Sequence, residues 1–242
     1  MYFCVMNERM QGIVTVFVDI DDTLWWFTEN SKLALRYVFD ANGLERMCAY
    51  EQFRDVYLEK NHELWDQYHH GLIEKDFLVN ERFRYTLSTC GFEDDVEGMC
   101  RRLNEEYLSY LASLPTTLPG ARELLEYLVA KGYDVNTLSN GFKGTQQQKL
   151  ASGGLDDLIH RNVLSDDCSI TKPQRGIFDY ALEQCEAEAS TSVMIGDNPD
   201  ADIKGAHDAG WRTIYFNIKG KAPIEGTADA VVVSLDEVKQ IL

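Results

Sequence analysis

Residues 13–23 read Ile-Val-Thr-Val-Phe-Val-Asp-Ile-Asp-Asp-Thr, a continuous β-branched and aromatic run that breaks into carboxylates. Apolar residues without alternation are what a strand buried on both faces requires. The same texture returns at 133–138, 192–195, 212–216 and 230–233. Amphipathic helical stretches lie between these runs. In 120–131, Leu124, Leu125, Leu128 and Val129 recur at helical spacing, and Gly132 supplies the stop. In 175–188, Ile177, Phe178, Ala181, Leu182 and Cys185 do the same. Strands alternating with helices of this length predict an α/β fold with a parallel, helix-covered sheet.

Residues 25–115 read differently. They carry helical patterns at about 29–42, 49–70, 74–89 and 94–113, separated by turn signals at Asn42-Gly43, His70-Gly71 and Cys90-Gly91. Pro115 and Pro119-Gly120 close the region before strand–helix alternation resumes. An all-helical domain over 25–115 is therefore expected to interrupt a catalytic α/β core made of 1–24 and 116–242. A chain of 242 residues is long enough for this arrangement.

Composition excludes several classes of partner. Lys and Arg number 23 against 40 Asp and Glu, a formal charge of −17. Such a surface repels nucleic-acid polymers and anionic lipid, whereas a small anionic substrate needs only a bound cation and one or two lysines. No stretch approaches the ~18 consecutive apolar residues of a membrane span. Asn7, Glu8 and Arg9 interrupt the first fifteen residues where a signal peptide is apolar, and Met10 is a second candidate start. Cysteines 4, 48, 90, 100, 168 and 185 show no C-x-x-C spacing, so they read as single thiols of a cytoplasmic protein.

Four polar clusters fall at strand ends, where parallel sheets bind their ligands. Asp19-Ile20-Asp21-Asp22-Thr23 follows the first run. Ser139-Asn140-Gly141 follows the second, offering a hydroxyl, an amide and a glycine that lets backbone N–H groups approach an anion. Lys172-Pro173 precedes the helix near 175, a point charge for phosphate. Gly196-Asp197-Asn198-Pro199-Asp200-Ala201-Asp202 follows the run at 192–195. Clustered carboxylates repel one another, and a hard divalent cation offsets that repulsion.

The set D-x-D-D-T, S-N-G, K-P and G-D-N-P-D-A-D resembles the four motifs of the haloacid dehalogenase (HAD) superfamily. The resemblance spans the chain and implies a Rossmann-like core with a helical cap that selects substrate. It makes Asp19 the nucleophile and Asp21 the general acid and base, with the Asp21 carbonyl also a Mg²⁺ ligand. Ser139, Asn140 and Lys172 would bind the phosphoryl group. Asp19, Asp197 and Asp202, the last directly or through water, would complete the metal site. The superfamily's dehalogenases lack the acid found here at Asp21, so the implied reaction is phosphomonoester hydrolysis.

Segments 19–27 (DIDDTLWWF), 61–71 (NHELWDQYHHG), 82–85 (RFRY), 171–184 and 196–211 are similar to a bacterial branch containing pyrimidine 5′-nucleotidases. That likeness implies a small phosphorylated metabolite, a nucleoside monophosphate, as the partner of a monomer or homodimer. Trp26 and Trp65 are the candidate rings for a base, with Trp25 or Trp26 otherwise a wedge and Trp65 otherwise bundle core. Asn61, four residues before Trp65, shares its helix face. Arg82 and Arg84, beside acidic residues, read as surface ion pairs. The alternative substrates are phosphoglycolate or a sugar phosphate, which would need a polar pocket rather than an aromatic slot. A hexose-phosphate mutase or a non-catalytic binding module is disfavoured, the latter because Asp19, Asp21, Asp197 and Asp202 are all present.

Overall fold

The computed structural model describes residues 9–242; Cys4 and most of the N-terminal segment discussed above lie outside the described residues. Six strands form one parallel sheet: β1 (Thr15–Val18), β2 (Asp134–Ser139), β3 (Arg161–Leu164), β4 (Ser192–Gly196), β5 (Arg212–Phe216) and β6 (Ala230–Val232). Their spatial order is β3-β2-β1-β4-β5-β6. β1 lies in the middle, with Val16 in register with Val135 on one side and Val193 on the other. The order reverses beside β1, which makes its carboxyl end the topological switch point where open α/β sheets bind ligands. β3 was not anticipated. It has four residues, only two of them fully buried, and presents no apolar run.

The chain divides into two compact units, one ending at Trp26 and resuming at Thr116, the other Phe27–Pro115. The first boundary falls two residues beyond the expected one. Trp25 bridges Asp21 and Thr117, and the Trp26 amide donates to the Thr116 carbonyl at 3.1 Å, so both tryptophans stay with the sheet. The helical unit contains α1 (Phe27–Ala41), α2 (Tyr50–His69), α3 (Lys75–Thr89) and α4 (Val96–Ser113). The sheet unit carries α5 (Ala121–Ala130), α6 (Lys143–Ser152), α7 (Ser165–Cys168), α8 (Arg175–Cys185), α9 (Gly205–Asp208) and α10 (Leu235–Ile241).

In the sheet unit, Phe17, Leu138 and Met194 from three adjacent strands pack with Ile177 and Phe178 of α8 and with Trp211. The Trp211 ring lies 4.5 Å from Phe17 and edge-on to Phe178 at 5.3 Å. Fully burying a side chain of this size contributes roughly 1.5–3 kcal/mol, which fixes the middle of the sheet. The interior of the helical unit is aromatic, with Phe39, Phe53, Tyr57, Phe83 and Tyr107 in mutual contact. Arg82 is not the surface ion pair expected of it. It is 3% exposed, donates to Asn104 Oδ1 at 3.1 Å and Asn61 Oδ1 at 3.5 Å, and lies near the Tyr57 and Tyr107 rings. Glu81 is taken by Arg84 instead, so Arg84 alone forms the expected pair. Among the described residues, no helix is long and apolar enough to cross a membrane.

Candidate active site

Asp19 is the first residue past β1, and its amide donates to the Ile195 carbonyl of β4 at 2.9 Å. That bond extends the sheet by one residue and fixes the carboxylate between the ends of β2 and β4. The chain then turns at Asp22, whose φ of 59° is a left-handed conformation that aspartate tolerates. The Asp22 amide closes the turn on the Trp25 carbonyl at 2.8 Å.

Lys172 reaches the same point from the loop before α8. Its Nζ donates to Asp19 Oδ1 at 2.7 Å, Asp202 Oδ1 at 2.6 Å and the Leu138 carbonyl at 2.6 Å. The ammonium is therefore fully committed and 2% of the residue is exposed. Asn140 holds the lysine from behind. Its Oδ1 accepts the Lys172 amide at 2.8 Å, and its Nδ2 donates to the Lys172 carbonyl at 2.9 Å. The Asn140 side chain is thus engaged with the Lys172 backbone, while Ser139, buried at the end of β2, faces α6.

Ligand atoms of Asp19, Asp197 and Asp202 lie within 4.8 Å of one another. Three carboxylate oxygens so close suit a hard divalent cation that takes oxygen ligands. Asp202 comes from a π-helical turn, Pro199–Lys204, and its Oδ2 accepts the Asn198 amide at 3.0 Å. A Cβ on Gly196 would stand 2.3 Å from that Oδ2, so only glycine lets the strand end approach Asp202. Lys219, a residue the sequence patterns did not single out, spans Asp197 Oδ2 at 2.8 Å and Asp22 Oδ2 at 2.7 Å.

Burial raises the Asp19 carboxyl well above its usual range; Lys172 opposes the rise, and Asp202, Asp197 and Asp21 add to it. Burial also pushes Asp197 up to about 6, against the pull of Lys219. Burial alone would lower the Lys172 ammonium, but Asp19 and Asp202 outweigh it and hold it raised. One physical cause underlies all three: too many carboxylates share too few cations in a dry place.

Asp21 is gripped by α6. Lys149 Nζ donates to its Oδ1 at 2.7 Å and Gln146 Nε2 to its Oδ2 at 3.0 Å. Neither residue was anticipated. α6 reads KGTQQQKLAS, and its buried residues are Gln146, Lys149 and Leu150, so it has no apolar stripe to signal a helix.

Residues 13–210 match the haloacid dehalogenase-like hydrolases. The chain belongs to this family. This HAD-type hydrolase is 33% identical to the protein named pyrimidine 5′-nucleotidase YjjG of Escherichia coli K12, over 94% of the chain and 96% of the relative. It is 32% identical to pyrimidine 5′-nucleotidase PynA of Streptococcus pneumoniae, over 82% and 81%. The magnesium-bound crystal structure of the Bacillus subtilis HAD-hydrolase YfnB superposes with a TM-score of 0.84 at 27% identity, covering 97% of this chain and 99% of that one.

The remaining candidates of this hydrolase are aromatic. Trp25 is fully buried, with Lys149 Nζ 4.8 Å from its ring centre. Trp26 is half-buried at the end of the sheet unit's first segment. Trp65 is half-buried on α2, its ring 5.7 Å from Tyr68 and 5.5 Å from His69. Asn61, on the same helix, is buried and accepts from Arg82.

Proposed function

We propose that the chain is a Mg²⁺-dependent phosphomonoester hydrolase that works through an aspartyl-phosphate, with pyrimidine nucleoside 5′-monophosphates as preferred substrates. The observation that carries the chemistry is the convergence of Asp19, Ser139, Lys172 and Asp197 at the carboxyl ends of β1, β2 and β4. An Asp19 oxygen attacks phosphorus, the bond to the leaving oxygen breaks, and that oxygen takes the proton of Asp21. Water then attacks the phosphorus of the aspartyl-phosphate, passes a proton to Asp21, and phosphate leaves as the Asp19 carboxylate re-forms. Lys172 offsets the charge of the nucleophile and the transferring group, Ser139 donates to a phosphoryl oxygen, and Asn140 keeps Lys172 in place. The Asp19 and Asp197 carboxylates and the Asp21 carbonyl, with Asp202 directly or through water, would hold Mg²⁺, which would supply the charge that lets an anionic nucleophile approach an anionic ester.

The preference for a pyrimidine rests on the two nucleotidase relatives and on the aromatic residues Trp26 and Trp65. Stacking of a base on one ring contributes roughly 1–3 kcal/mol. That is about five- to 150-fold in discrimination, and a sugar phosphate forgoes it. The test is a panel of phosphomonoesters with Mg²⁺. UMP, dUMP or dTMP should show a higher kcat/KM than glucose 6-phosphate or phosphoglycolate, and Trp26→Ala, or failing that Trp65→Ala, should erase the difference while sparing an aryl phosphate. Phosphoglycolate or a hexose phosphate ranking above every pyrimidine nucleotide would reverse the assignment.

A further inference from the structure

Gln146 has no role in the chemistry above, yet it is fully buried beside it. Its Nε2 donates to Ser139 Oγ at 2.7 Å and to Asp21 Oδ2 at 3.0 Å, so one amide nitrogen joins two groups from different strands. Its Oε1 is buried without a hydrogen-bond partner. An orphaned buried acceptor costs about 1–3 kcal/mol, which an aliphatic side chain of the same shape would avoid. Stability alone does not account for a glutamine here. Three residues on, and therefore on the same helix face, Lys149 takes the other Asp21 oxygen at 2.7 Å. Gly141 gives a separate sign of the demand. A Cβ there would lie 2.4 Å from the Gln146 amide, and its φ is not in the left-handed region, so the close approach of Gln146 is what excludes a side chain.

We propose that Gln146, with Lys149 beside it, is a positioning residue that locks the acid/base carboxyl of Asp21 to the phosphate-binding hydroxyl of Ser139. The inference rests on the aspartyl-phosphate reading above. Ser139 would hold an oxygen of the group whose leaving oxygen Asp21 protonates. Tying one to the other fixes the direction of proton delivery, and small errors of placement are expensive in such steps.

The experiment separates proton delivery from general damage by choice of leaving group. A nucleoside alkoxide needs the Asp21 proton to depart; p-nitrophenolate does not. With Mg²⁺ present, Gln146→Met should lower kcat/KM for UMP by about 10- to 100-fold, because a misdirected Asp21 forfeits part of the ~10²–10⁴-fold that general acid catalysis contributes. The same variant should lower kcat/KM for p-nitrophenyl phosphate by less than about threefold. A crystal structure of metal-free Gln146→Met should show the Asp21 carboxyl in a changed rotamer. Equal losses on both esters, or no loss on either, would overturn the proposal. If UMP is inert but another alkyl phosphate is turned over, the nucleotide preference falls and the comparison is decided on that ester. A wild type inert on every alkyl and aryl ester removes the phosphatase reading and the clamp with it.

Discussion

Asp19 and Asp202 share the ammonium of Lys172, and Asp197 and Asp22 share that of Lys219. Two cations thus face four carboxylates in a mostly buried cluster, which is why burial and like charge hold Asp19 well above its usual range. Asp19→Asn removes one of those charges and keeps the shape. Its metal-free melting temperature should therefore equal or exceed that of the wild type, because Lys172 keeps Asp202 and the repulsion falls. Turnover should vanish, since an amide cannot form the acyl phosphate. Scanning calorimetry and a phosphate-release assay read the two outcomes, and substantial hydrolysis by the purified variant would contradict the covalent mechanism. Asn140 makes the complementary case. Asn140→Ala breaks two hydrogen bonds to the Lys172 backbone, each worth about 0.5–1.5 kcal/mol, so it should lower both stability and kcat.

At the level of elements, the strands that end at the acidic cluster were legible because burial on both faces forces an apolar run that stops at a polar cluster. β1 and β4 show this, with Asp19 and Asp197 the first residues past their ends. α6 was not legible, because what it buries is polar: Gln146 and Lys149 hold Asp21 and leave no hydrophobic period. Lys219 carries no sequence signal either, since its partners Asp22 and Asp197 are distant in sequence and only the sheet order brings them together. Arg82 on α3 departs from the surface pair expected of it because Arg84 takes the adjacent Glu81. Its guanidinium sits among Asn61, Asn104, Tyr57 and Tyr107, and its Nε has no partner. Burying a charge among neutral groups costs several kcal/mol, more than the one good hydrogen bond to Asn104 returns. Arg82→Met should consequently keep or raise the melting temperature of the protein. A drop of more than about 2–4 °C, the shift expected for roughly 1 kcal/mol in a chain of this size, would show that the amide contacts outweigh desolvation.

Across the whole molecule, the buried acid cluster should make stability depend jointly on pH and divalent cation. Burial pushes Asp197 up to about 6, with Lys219 pulling the other way, while in the unfolded chain the group titrates near its ordinary value. Between about pH 4 and 6 the folded state therefore holds a proton that the unfolded state has released. Stability of the metal-free protein accordingly falls, on account of this group, as pH rises through that window. Asp19, raised in the same direction, reinforces the trend. A divalent cation must displace that proton, so its apparent affinity weakens by up to about tenfold per pH unit below 6. A cation present at about 100 times its dissociation constant adds ~2.7 kcal/mol, and at about 10 times ~1.4 kcal/mol. The rise in melting temperature on adding Mg²⁺ should then be roughly twice as large at pH 7.5 as at pH 5 for the same concentration. Thermal melts of the full chain at both pH values, with and without Mg²⁺, measure this directly. Asp197→Asn should remove this group's share of the pH dependence of the shift and leave the share that Asp19 contributes. A shift as large at pH 5 as at pH 7.5 in the wild type would mean that Asp197 does not titrate against the metal, and the carboxylate cluster would have to bind it some other way.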